Sequence, residues 1–187
     1  MRVTLIGDSI RIGYQPHITR ELSGQAEGWG PDQNGGASAN GMADLDNWVL
    51  DRRADVVHVN SGLHDLKLPE GEYQVPLEQY VHNLHEMIDR VRGEFDGQMI
   101  WATTTPVMDE RHQAVKHFER HEEDVRRYNE AALAVMESHG VSINDLHETV
   151  MEAGVARLLT DDGVHFTDEG YRILANAVAD RILTAVG

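Results

Sequence analysis

Two short stretches near opposite ends of the chain hold residues able to do nucleophilic chemistry. "GDS" places Ser9 just after an apolar run that stops at Gly7, and "DGVH" places Asp162 three residues before His165. A serine hydroxyl is a weak nucleophile until a base takes its proton, and an imidazole base needs a carboxylate to orient it. One loop carrying both imidazole and carboxylate, brought to one serine, supplies the full set. Each half alone has a blander reading. A serine between a strand and a helix commonly caps the helix, and a histidine among acidic residues near a helix start is commonly a loop residue. The chain has no cysteine, which excludes disulfides, thiolate metal sites and cysteine catalysis within it.

The elements that would carry these residues alternate. Residues 2–6 read as a buried strand, and so do "DVVHVN" at 55–60, "QMIWAT" at 98–103 and "GVSI" at 140–143. A fainter strand signal lies at 26–30, blurred by the run "GWGPDQNGG". Leu77, Tyr80, Val81, Leu84, Ile88 and Val91 recur at helical steps, as do Val125, Tyr128, Ala132, Val135 and Met136. A last helix is expected over 168–186, with Thr167 as its cap and Asp168 and Glu169 in its first turn. Strands alternating with helices predict an α/β chain with a mostly parallel sheet covered on both faces. Ligands of such sheets bind beyond the carboxyl ends of the strands. Ser9, His64 with Asp65, and Thr103 to Pro106 all follow strands and would face that rim. No repeat, low-complexity tract or linker divides the chain, so 1–187 is expected to form one domain.

The two ends together resemble the SGNH (GDSL-type) hydrolase family. Residues 7–9 match its first block, residues 162–165 its last, and the elements between fall in the family's order. The resemblance implies a three-layer α/β/α sandwich with a five-stranded, flavodoxin-like sheet, and a serine esterase that needs no cofactor or metal. It assigns Ser9 as nucleophile, His165 as general base and then acid, and Asp162 as the residue that orients His165. It also assigns the oxyanion donors as the backbone N–H groups of Ser9 and Ala39 with the side chain of His64.

Two of these positions depart from the family's pattern. "NGGASAN" puts Ala39 where the second block has glycine, and a slip of one residue would put Ser38 there. "GLHD" puts His64 where the third block has asparagine. Alanine keeps the N–H, and imidazole still donates one N–H when neutral. The plainer reading of His64 is a loop histidine bonded to backbone near Asp65.

The remaining signals are weaker. His112, His117 and His121 sit in a charged segment without a metal-site pattern, which favours a solvated helix or a cap over the site. The whole segment 105–128 is longer than an ordinary loop and is expected to border the substrate entrance or a dimer contact. Trp29, Trp48 and Trp101 read as core or rim, one of them a candidate sugar platform.

A net charge of −16 disfavours nucleic acid and anionic membranes as partners. The N-terminal apolar run is broken at Asp8 and reads as a strand rather than a leader, so a cytoplasmic location is expected. The expected substrate is a small-molecule ester, an acetyl ester of a carbohydrate foremost. An acyltransferase sharing the same acyl-enzyme, a non-catalytic carbohydrate-binding scaffold and, last, a nucleotide-binding flavodoxin-like protein are the competing readings. The sequence does not indicate an oligomeric state.

Overall fold

The computed structural model describes residues 1–186. In chain order the elements are β1 (Arg2–Ile6), α1 (Ser9–Glu21), β2 (Glu27–Trp29), α2 (Ser38–Ala43), α3 (Leu45–Trp48), β3 (Val56–Asn60), α4 (Leu77–Glu94), β4 (Gln98–Ala102), α5 (Asp109–Val115), α6 (Glu122–Ser138), β5 (Ser142–Asn144), α7 (Leu146–Ala153), α8 (Val155–Leu158) and α9 (Asp168–Val186). The strands form one sheet in the order β2-β1-β3-β4-β5, and every pairing is parallel. This 2-1-3-4-5 order is that of the flavodoxin-like fold, whose winding reverses between β1 and β3. A crevice opens at that reversal, beyond the strand ends. Ser9 follows β1 and His64 follows β3, so both stand at its edge.

The sheet is covered on both faces, and its sequence shows it. Val56, Val57, His58 and Val59 of β3 are all buried, with no polar alternation. One helical layer contains α1 and α7 packed on α9; the other contains α2 and α6 packed on α4. The stripe Tyr80, Leu84, Met87, Ile88 and Val91 of α4 is buried, as are Leu174, Ala175, Val178 and Ile182 of α9. His58 lies within this core. Its Nε2 meets the Asn144 side-chain amide at 3.1 Å, and burial pushes its pKa down to about 3, so the imidazole stays neutral.

The strand expected at 140–143 forms later, at Ser142–Asn144. The displaced residues close α6 instead. Gly140 has φ +60°, its N–H donates to the Glu137 carbonyl, and the Val141 N–H reaches back to the Met136 carbonyl at 2.9 Å. A left-handed glycine followed by such a long return bond is a helix stop, and it takes precedence over the extended reading of the same residues. The Gly-rich region does yield an edge strand, three residues long, at Glu27–Trp29. No described helix is long and apolar enough to cross a membrane.

Candidate active site

At the end of β1 the capping role belongs to Asp8. Its Oδ1 accepts the Ile10 N–H at 2.9 Å, and Ser9 is the first residue of α1. The Ser9 hydroxyl is thereby released from capping. Its N–H lies in the first helical turn, where no acceptor exists within the helix. Arg11 holds the turn in place: its guanidinium donates to the carbonyls of Gly7 and Gln33, while the Gly35 N–H donates to the Gly7 carbonyl at 3.1 Å.

The loop between α8 and α9 is organised around Asp162. Asp162 Oδ1 accepts from the Thr160 hydroxyl at 2.9 Å and from the N–H groups of Val164 and His165 at 3.0 and 2.9 Å. Its Oδ2 accepts from His165 Nδ1–H at 2.6 Å. Burial raises the carboxyl, but the hydrogen bonds from His165, Val164 and Thr160 outweigh it and hold the group well below the usual carboxylate range. With Nδ1 protonated, His165 Nε2 carries the lone pair, and it accepts the Ser9 hydroxyl at 2.9 Å. Residues 156 apart in sequence thus form one continuous hydrogen-bonded line. The Thr167 hydroxyl caps α9 as expected, accepting the Gly170 N–H at 3.2 Å.

The other two sequence candidates lie on the facing side of the crevice. His64 is partly exposed, with Nε2 at 4.0 Å from Asp8 Oδ2, too far for a hydrogen bond. Burial lowers its pKa, and the charges of Arg120, Lys67 and His165 add to that against Asp8, so the imidazole is neutral at pH 7. A backbone bond from His64, the plainer reading, is absent among the described side-chain contacts. Ala39 is exposed in the first turn of α2.

Three residues with structural roles here had gone unassigned. Asp65 is fully buried and accepts from both the backbone N–H and the hydroxyl of Ser38, with the Ser61 hydroxyl at 3.3 Å. Asn83 of α4 donates to the same Ser38 hydroxyl at 2.8 Å. This cluster fastens the start of α2, and Ala39 with it, to the loop that carries His64. Desolvation raises the Asp65 pKa to about 6 despite the hydrogen bonds from Ser38 and Ser61. A legible signal existed for Asn83: it is a polar residue on the buried stripe of α4. The third residue is Arg120, buried beside His64, with Nε donating to the Leu63 carbonyl at 2.7 Å. Nothing in its charged neighbourhood in the sequence marks it out.

The segment 105–128 holds α5 and a strap that pairs with the His64 loop through Leu68 and Glu119. His112 departs from the solvated expectation. It is fully buried, edge-on to Phe118 at 5.2 Å, because α5 packs its inner side on the Asp162 loop, where the Met108 N–H donates to the Gly163 carbonyl at 2.8 Å. His121 bonds Asp109 and Glu119, whose carboxylates raise its pKa.

A family model described as the GDSL-like lipase/acylhydrolase family matches residues 5–173. The chain belongs to that family. As a GDSL acylhydrolase it is a carboxylic ester hydrolase. Among solved structures it is similar to a lipase/acylhydrolase from Enterococcus faecalis, at 21% identity and TM-score 0.84, over 98% of this chain and 96% of that one. It is also similar to an acetyl xylan esterase, at 19% identity and TM-score 0.76 over the whole of both chains. A catalytic mutant of an acetylxylan esterase from Geobacillus stearothermophilus matches at 17% identity and TM-score 0.76, over 97% of this chain and 93% of that one. At such identities these likenesses show the common fold of GDSL acylhydrolases. A search of curated proteins found no match.

Proposed function

We propose that this GDSL acylhydrolase removes acetyl groups from carbohydrate esters through Ser9, His165 and Asp162. The observation that carries the reading is the hydrogen-bonded line from Ser9 Oγ to His165 Nε2 at 2.9 Å and from His165 Nδ1 to Asp162 at 2.6 Å.

In this reading Ser9 Oγ attacks the ester carbonyl carbon while its proton passes to His165 Nε2. Asp162 stays ionised and stabilises the imidazolium. The negative oxygen of the tetrahedral intermediate accepts from the N–H groups of Ser9 and Ala39 and from the neutral imidazole of His64. Collapse breaks the bond to the sugar oxygen, which leaves as an alcohol with the proton from His165. Water then attacks the acetyl-serine and gives its proton to Nε2. The second collapse releases acetate as the acid and returns the proton to Ser9.

The acetyl xylan esterases among the structural neighbours point toward a carbohydrate alcohol.

The test is a screen of acetylated sugars against longer acyl esters, with Ser9→Ala as control. Wild type is expected to favour acetyl esters and to be labelled by a fluorophosphonate at Ser9. Ser9→Ala is expected to fold normally and lose at least ~10³-fold in turnover. Retention of most activity in Ser9→Ala would overturn the reading.

A further inference from the structure

Arg120 is a buried cation without a protein anion. Only 5% of the residue is exposed, and its Nε donates to the Leu63 carbonyl at 2.7 Å. Among the described residues, no Asp or Glu forms an ion pair with its guanidinium. The nearby carboxylates make their hydrogen bonds to other groups. Asp8 caps α1, and Asp162 accepts from Thr160, Val164 and His165. Both still act on Arg120 through space, and its pKa, lowered to about 10 by burial, leaves it fully charged at neutral pH. Beyond the Nε bond its terminal N–H groups have no protein acceptor among the described residues, so a mostly buried guanidinium is left free to donate to an anion supplied by a ligand.

Its surroundings match that role. The strap holding Arg120 pairs with the His64 loop through reciprocal backbone bonds between Leu68 and Glu119, at 3.0 and 3.3 Å. The ring centroid of Phe118 is 4.1 Å from Lys67 Nζ and 5.0 Å from the Arg120 guanidinium carbon. Both cations, and His165 with them, act electrostatically on His64. Arg120 is close enough to feel Asp8 and Asp162, the neighbours of Ser9 and His165, so it stands at that site in a chain whose net charge of −16 otherwise repels anions.

We propose that Arg120, assisted by Lys67, is an anion-recognition subsite, and that the ester this enzyme is built for carries a carboxylate close to the scissile bond. The proposal rests on the hydrolase reading and narrows its substrate to an acidic ester. The carboxylate has two sources, the acyl group or the alcohol, and one test separates them.

For the acyl side, kcat/KM is compared for 4-nitrophenyl hemisuccinate and 4-nitrophenyl butyrate. For the alcohol side, 3-acetoxybenzoate is compared with 3-acetoxybenzamide. Wild type is expected to favour the charged member of at least one pair by about 10–100-fold at low salt, the worth of a charge-assisted hydrogen-bonded contact. The preference should appear in KM more than in kcat. Each protein's own charged-to-neutral ratio is the readout, so a general loss of activity does not affect it. Arg120→Gln is expected to bring that ratio to about one and Arg120→Lys to keep part of it. If Arg120→Gln fails to fold, the wild-type ratio and its decline with added salt still decide.

A wild-type ratio of one or less in both pairs overturns the subsite, and so does a ratio that survives in Arg120→Gln. In either case hydrolysis itself stands. Failure of the hydrolase reading shows itself separately, as no turnover of any of the four esters and no fluorophosphonate labelling of Ser9, and it removes the subsite as well.

Discussion

Gly13 of α1 faces the ring of Tyr171 of α9 so closely that a Cβ at position 13 would lie 2.2 Å from two ring carbons. Here the helix that begins at Ser9 passes close to the helix that follows His165. The close approach of the two axes is what lets the serine and the imidazole meet at 2.9 Å. Gly13→Ala adds helix propensity worth ~1 kcal/mol, yet forces the ring or the helices apart. Net destabilisation of ~1–3 kcal/mol is expected, together with a fall in kcat from the widened Ser9–His165 gap. Denaturant unfolding and steady-state kinetics check both. Adding Tyr171→Ala should recover part of the activity, and no recovery would place the damage elsewhere.

Asp162→Asn keeps the size of the side chain but gives His165 the wrong hydrogen-bond partner. A loss of ~10⁴ in kcat is expected, as for comparable triads. Stability should respond with a definite sign. The folded-state pKa of Asp162 is depressed, so its contribution is present above the unfolded carboxylate value of 3.8 and lost as pH falls through the folded value. Unfolding free energies of wild type and Asp162→Asn should therefore differ at pH 7 and converge on acidification below 3.8. A difference constant with pH would contradict the hydrogen-bonded, ionised Asp162.

The Asp65 carboxyl has the opposite sign. Its pKa rises from 3.8 to about 6 on folding, so its favourable contribution is complete below 3.8 and is lost as pH climbs through about 6. A rise of this size corresponds to ~3 kcal/mol. Asp65→Asn does not ionise. Relative to wild type it should gain about that much stability between pH 4 and pH 7, read by chemical denaturation at both. Asp65→Ala should loosen α2 and lower kcat, since Ser38 would lose its acceptor.

His64 stands where an amide donor is expected, and in its neutral form it has one N–H to offer. His64→Asn should retain activity to within about tenfold, while His64→Ala should lose ~10²–10³ in kcat, the cost of one oxyanion donor. The comparison is made on one short ester above pH 7. Equal, small losses in both variants would mean that His64 only shapes the loop.

The strands and the helical stripes were legible because they rest on local chemistry. Runs rich in β-branched residues, such as Val56, Val57 and Val59 around His58, form strands, and Tyr80, Leu84 and Ile88 recur on one side of a helix, whatever the rest of the chain does. Ser9, Asp162 and His165 could be picked out because the two end motifs together resemble the blocks of one hydrolase family; their spacing alone left the bland readings open. Which side chain capped α1 was a different matter. Asp8 and Ser9 are equally suited by type, and only the turn held by Arg11 and Gly35 decided for Asp8.

By itself the sequence determined an α/β chain with a serine near one end and an Asp–His pair near the other, because strand and helix periodicity and short loop spacings are encoded by neighbours. The resemblance implied that these ends meet; tertiary structure alone decided the hydrogen-bonded geometry of that meeting, that Asp65, Ser38 and Asn83 tie two loops into one rim, and that Arg120 is buried without a carboxylate ion pair among the described residues. Those are relations between residues tens of positions apart. Burial and charge environment belong to the packed assembly, so no local pattern of residue types can carry them.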